Sequence, residues 1–186
     1  MYKLCKTEQS AQRQRELEKG LLKMMLRCRY EDISVSDLCE YLGVPRKSFY
    51  RYFSSKDGAL YALLDHTMME FLSQDTGVDP VEVWSHGEDL VRFFEFWRQH
   101  GDLIEGMQRS GLSGVLVDRA MELVMRERLM PGYVRDMNPE IQQLAMSFSV
   151  CGLLSMVLTW SSQGFKQTPS DMTKLAMSIL TKPLIQ

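Results

Sequence analysis

The stretch that most restricts the fold is 33–56, ISVSDLCEYLGVPRKSFYRYFSSK. Ser34 can cap a helix, with Asp37 three residues on as its capping-box partner. Leu38 and Leu42 give that helix an inward face. Gly43 supplies the turn, where a positive φ is easiest. Pro45 can occupy the first position of the next helix, where its missing N–H costs nothing, and that helix runs to about Tyr52. Two short helices joined by a brief glycine-containing turn form a helix-turn-helix.

The second helix has a polarised circumference. At about 100° per residue, Phe49 and Phe53 point one way, into a small core, while Lys47 and Arg51 point the opposite way. Ser48 and Tyr50 lie on the flanks, and Arg46 is in the first turn. Cations, an aromatic and a hydroxyl thus surround an apolar anchor, as a helix lying in the major groove requires. The same pattern fits an ordinary amphipathic helix with a solvated basic face.

The charge balance points the same way. Residues 1–56 hold 12 Lys/Arg against 7 Asp/Glu, whereas the whole chain has a net charge of −2. A basic head on an acidic body fits a polyanion that meets only the head, although chance also produces such a swing. Elsewhere the periodicity is helical: Leu17, Leu21, Met24 and Cys28 share one face, as do Leu60, Leu63, Leu64, Met68 and Phe71. No segment alternates with the period of a strand. Breaks in the pattern divide the chain into about nine helices, an all-α fold. The division falls at the helix starting near Ser55, giving a three-helix head over 1–54 and a larger helical body over 55–186, with 55–73 as the connecting helix.

Several function classes find no support. No Gly-rich phosphate loop, nucleophile elbow or metal-ligand spacing is present, so no enzyme is expected. Cys5, Cys28, Cys39 and Cys151 form no CxxC pair, and neither a zinc site, another cofactor nor a disulfide framework is expected. The first residues lack the apolar core of a signal peptide. No window approaches about 18 uninterrupted apolar residues, so no membrane partner is expected and the cytoplasm is the default location.

The run Ser34-Val35-Ser36-Asp37-Leu38, then Gly43-Val44, then Ser48-Phe49-Tyr50-Arg51-Tyr52-Phe53-Ser54-Ser55-Lys56 resembles the N-terminal domain of the tetracycline-repressor-type (TetR) family of transcriptional regulators. FYRYFSSK is the most specific part, and the likeness spans roughly 10–65. It implies a DNA-contact set of Ser34, Arg46, Lys47, Ser48, Tyr50, Arg51, Tyr52 and Lys56, with Tyr52 and Lys56 as phosphate clamps. Ser55 reads independently as the cap of the connecting helix, which sets Lys56 beside a helix start that favours a phosphate. The departures are Cys39 for a small alanine, Arg29 for a helix-ending glycine, and Pro45 for a Ser or Thr cap; none removes a DNA-contact group.

The resemblance further implies a ligand pocket and a homodimer formed largely by the last two helices. The expected pocket residues are Met68, Phe93, Trp97, Met121 and Met125, within a Trp/Phe cluster over 84–97 and a Met-rich helix reaching Met130. Such a pocket fits an apolar or aromatic small-molecule inducer, though Met stripes also fill ordinary cores. The expected dimer residues are Gly152, Met156, Trp160, Leu175 and Ile179, on faces that also fit intrachain core. The reading is a ligand-responsive regulator, expected to be a repressor, that binds a pseudo-palindromic double-stranded DNA operator as that homodimer. The competing reading is a TetR-like helical co-activator that binds a protein instead of DNA.

Overall fold

The computed structural model describes residues 2–73, 87–127, 129 and 132–181. In chain order the helices are α1 (Glu8–Met25), α2 (Val35–Tyr41), α3 (Arg46–Tyr52), α4 (Lys56–Ser73), α5 (Gly87–Gln99), α6 (Gly101–Arg109), α7 (Ser113–Arg126), the single turn α8 (Gly132–Arg135), α9 (Pro139–Ser162) and α10 (Pro169–Thr181). A 3₁₀ turn covers Tyr30–Asp32. No strand occurs among the described residues; the one β feature is an isolated antiparallel bridge between Tyr2 and Phe53.

The head forms where its local signals place it. Thr7 caps α1 by accepting the Ser10 amide. Leu17, Leu21 and Met25 then repeat every four residues on the buried side. The capping box of α2 is complete: the Ser34 hydroxyl accepts the Asp37 amide at 3.1 Å, and the Asp37 carboxylate accepts the Ser34 amide at 2.9 Å. These bonds hold the Asp37 carboxyl below its ordinary range. Gly43 turns the chain at φ +64°, a conformation costly for any residue with a Cβ. Pro45 sits at the N-cap of α3, one position earlier than expected, because its extended backbone hands helical geometry to Arg46.

The connecting helix α4 joins head to body. Ser55 caps it by accepting the Gly58 amide at 3.2 Å. Along its length it packs on α1 and on α7. The head also touches the body through α1, which crosses α6 closely; a Cβ added at Gly106 would lie 3.3 Å from the Met25 Cβ. Two polar ties reinforce this crossing: Arg109 donates to the Leu26 carbonyl at 2.7 Å, and the Tyr30 amide donates to the Ser110 hydroxyl at 3.0 Å. The body core gathers Phe94, Leu103, Ile104, Met107, Leu116, Val157 and Trp160. Here α9 packs on α6 and α7, while α10 lies along α5.

One expectation fails inside this core. Trp160, placed on a dimer face from sequence, is 1% exposed. Its ring meets Phe94 and Phe165 edge-on, at 5.8 and 4.8 Å between centroids, and its indole N–H donates to the Gln167 carbonyl. By length and composition α9 is apolar enough to cross a membrane, with only a third of its most apolar window buried within the chain. Apolar character on every side of the helix left no phase from which to tell the inward tryptophan from the outward face.

Candidate nucleic-acid interface

The residues of α3 and its C-cap Phe53 separate cleanly by side. Phe49 and Phe53 are fully buried, with ring centroids 5.1 Å apart. Arg46, Lys47, Tyr50 and Arg51 are exposed, and Ser48 is half-buried. The Tyr50 ring stands edge-on to Phe49 at 5.5 Å, so the buried anchor also orients an exposed aromatic. One turn earlier, the Arg46 guanidinium lies 5.9 Å from the Tyr50 ring centre and within 3.4 Å of its hydroxyl. That hydroxyl raises the Arg46 pKa further, keeping it cationic. Three cations and a phenol therefore project from a rigid helix without an acidic partner among the described residues.

Two expected contacts are placed differently. Tyr52 is buried beside Phe53, where it helps wall a groove, so its ring is a core element more than a free clamp. Lys56 is half-buried, and its ammonium donates to the Tyr30 and Ile33 carbonyls, both at 2.5 Å, while lying 4.2 Å from the Tyr30 ring centre. The next residue, Asp57, accepts the Tyr30 hydroxyl at 2.6 Å. Burial and this carboxylate push the Tyr30 hydroxyl pKa upward, so it stays a neutral donor. Lys56 and Asp57 thus lock the start of α4 to the turn before α2. At most one ammonium N–H of Lys56 remains for a phosphate.

Ser34 is exposed at the start of α2, with its hydroxyl engaged in the cap. Beside α3, a groove of about 520 Å³ separates it from the first turns of α1, with Gln9, Ser10 and Arg13 on one bank and Ser48 and Arg51 on the other. The α1 bank was not identified from sequence. Arg13 is an exposed cation three residues from its partner Glu16, and nothing local distinguishes it from an ordinary solvated pair.

In the body, Met68, Phe93 and Trp97 converge on one apolar cavity of about 50 Å³. Met121 and Met125 do not join them. Ala120, Leu123 and Val124 form the α7 wall of that cavity; the two methionines lie about 100° or more around the helix from the centre of that wall, and Met125 is 37% exposed. Trp84 and Met130 fall outside the described residues. On the opposite side of α9, Gly152 is exposed and Met156 half-buried, and on α10 Leu175 is exposed and Ile179 half-buried. The apolar face extends further than expected, through Ile141, Leu144 and Phe148, the last two 70% and 67% exposed. Their spacing of three and four residues was the available signal.

Lys56→Ala is expected to lower stability by about 2 kcal/mol, because two backbone carbonyls lose a charged donor. Urea unfolding of the purified chain measures this. An unchanged midpoint would return Lys56 to the role of a free phosphate ligand.

Residues 30–63 match the model for bacterial regulatory proteins of the tetR family. No curated protein matches the chain by sequence. Among solved structures, a TetR transcriptional regulator from Streptococcus agalactiae 2603V has the same fold, with a TM-score of 0.65 at 18% identity, covering 94% of this chain and 96% of that one. The fatty acid degradation regulator FadR from Bacillus halodurans gives a TM-score of 0.61 at 16% identity, covering 97% and 98%. The dihydroxyacetone kinase operon activator DhaS gives 0.56 at 12% identity, covering 90% and 93%. At these identities the likeness is one of fold, and it extends over the whole length. Residues 30–63 thus carry the motif of the tetR-family head, and the chain as a whole shares the fold of these regulators.

Proposed function

We propose that the protein is a ligand-responsive repressor that binds a pseudo-palindromic operator as a homodimer. The observation that carries the reading is the outer face of α3. Arg46, Lys47, Tyr50 and Arg51 are exposed together on a helix whose other side is fully buried, within the residues that match the family. Lys47 and Arg51 can donate to guanine edges in the major groove, and Tyr50 adds a hydroxyl and an apolar ring. Arg46 and the Ser34 end of α2 suit the phosphates on either side. A co-activator that docks on a protein has no need of this cationic, carboxylate-free face.

The dimer accounts for α9. A helix apolar on all sides belongs in a core, yet Ile141, Leu144 and Phe148 face outward. With Gly152 at its centre and Leu175 and Ile179 of α10 beside it, this surface suits a symmetric helical contact with a second copy. Such a contact explains the exposed apolar half of α9 without a membrane and agrees with a cytoplasmic DNA-binding protein.

The effector is an apolar or aromatic small molecule received between α4, α5, α7 and α9. The cavity is lined by aliphatic and aromatic side chains. At about 50 Å³ it is far below the roughly 300–1,000 Å³ of a drug-sized site, so binding requires these helices to separate. That requirement supplies the coupling: an effector that fits only the expanded body favours the head spacing that goes with it. A tenfold loss of DNA affinity needs only about 1.4 kcal/mol of such preference, and the effector must lose the same factor on DNA. Met68 and Phe71 near the end of α4 line the cavity, while Lys56 and Asp57 at its start hold the head, so α4 is the lever.

Selection of duplexes from a random pool by the wild-type protein is expected to yield a two-fold-related pair of half-sites, with affinity that falls steeply as salt rises. Arg51→Ala should cost roughly 1–3 kcal/mol on the selected duplex and relax one position in each half-site. An equal loss on random DNA would make Arg51 a backbone contact. Phe148→Asp is expected to turn the dimer into a monomer in light scattering at micromolar concentration. A dimer that persists unchanged would place the interface elsewhere.

A further inference from the structure

Residues 2–5 form a strap that is tied directly to α1, α3 and α4, and through Asp65 to α7. The Lys3 amide donates to the Tyr52 carbonyl at 3.0 Å, at the carboxyl end of α3, as part of the Tyr2–Phe53 bridge. One residue earlier, the Tyr2 hydroxyl donates to Asp65 of α4 at 2.8 Å. Asp65 is 2% exposed, and Arg119 of α7 holds both its oxygens through Nε and Nη2. Arg119 in turn lies 5.2 Å from the Tyr61 ring centre and pairs with Glu122. Farther along, the Cys5 thiol donates to Gln14 of α1 at 2.7 Å.

Segments at the edge of a domain usually fray unless they are tied down. This one is tied at Tyr2, Lys3 and Cys5, and the Tyr2 tie ends on a buried, ion-paired carboxylate. The Tyr2 ring also stands edge-on to His66 at 5.6 Å, and His66 Nδ1 lies 2.9 and 3.0 Å from the two carboxylate oxygens of Glu18. Burial and Asp65 push the Tyr2 hydroxyl up to about 12, so it remains a donor at any physiological pH. The strap therefore runs from a fixed point on α4 and α7 to the end of the recognition helix. The next residue of α7 after Arg119 is Ala120, part of the cavity wall.

We infer that Tyr2 is a positioning residue for DNA recognition: through Asp65 and Arg119 it fixes the carboxyl end of α3 against α4 and α7, and so sets the angle at which Lys47, Tyr50 and Arg51 meet the groove. The inference rests on the reading of α3 as a DNA-recognition helix. Base-edge contacts demand this angle, whereas contacts with the phosphates of arbitrary DNA tolerate a range of poses. A loosened strap should therefore reduce specific binding and spare non-specific binding.

The test uses the full chain, the duplex that the wild type selects from a random pool, and a scrambled duplex of the same length. Tyr2→Phe keeps the ring and removes the tie to Asp65. It should bind the selected duplex about three- to tenfold more weakly, the range set by loss of one hydrogen bond, with the scrambled duplex nearly unchanged and the melting temperature lowered by no more than a few degrees. Lys3→Pro removes the amide that reaches Tyr52 and cuts the same strap at its other end. It should match Tyr2→Phe, and the double variant should lose no more than either alone. Lys3→Ala keeps the amide and removes the charge, and should bind as the wild type does. The inference is overturned if Tyr2→Phe binds normally, if it loses equally on both duplexes, or if Lys3→Ala reproduces the loss, which would make the strap a direct contact. A wild type that selects no duplex would remove the DNA reading and this inference with it.

Discussion

A helix of seven residues does not hold its shape alone in water, so everything asked of α3 rests on the burial of Phe49 and Phe53. Both rings are fully enclosed, 5.1 Å apart, and four residues separate them in sequence. That spacing fixes the rotation of the helix. Once these positions face inward, Lys47, Tyr50 and Arg51 can only face outward. The cationic surface is a consequence of the apolar one, and its rigidity comes from the aromatic core of the head.

The next requirement is a fixed relation between this helix and the rest of the molecule, and α4 provides it. At its start, Lys56 and Asp57 hold the turn at Tyr30–Ile33. In its middle, the buried Asp65 is held by Arg119. Removing one partner of such a pair strands a buried charge, which is strongly destabilising, so these contacts specify an arrangement more than they add net stability. Near its end, Met68 and Phe71 face the apolar cavity. One helix thus carries a polar lock toward the head and an apolar surface toward the body, and motion in one part has a mechanical route to the other.

The head was legible from sequence because its signals are local. A capping box spans four residues, the Gly43 turn one, and the Phe49–Phe53 pair a single helical turn. The misplaced residues depend on distant partners. Lys56 reads as a free cation beside a helix start until the carbonyls of Tyr30 and Ile33 arrive beneath it, more than twenty positions away in the chain. Trp160 reads as surface or core equally well on a helix with no polar side. Met121 and Met125 have a helical spacing, but spacing alone does not say which phase of α7 meets the cavity. Tyr2 gave no signal at all, since its partner Asp65 lies 63 residues away.

The central claim is that two copies of α3 enter the major groove at two-fold-related sites. Methylation interference on a duplex selected by the wild-type protein tests it directly, because guanine N7 is exposed only in the major groove and adenine N3 only in the minor groove. The account predicts two clusters of interfering guanine N7 positions, symmetry-related and about one helical turn apart or slightly more. A single cluster, or interference confined to adenine N3, would contradict it.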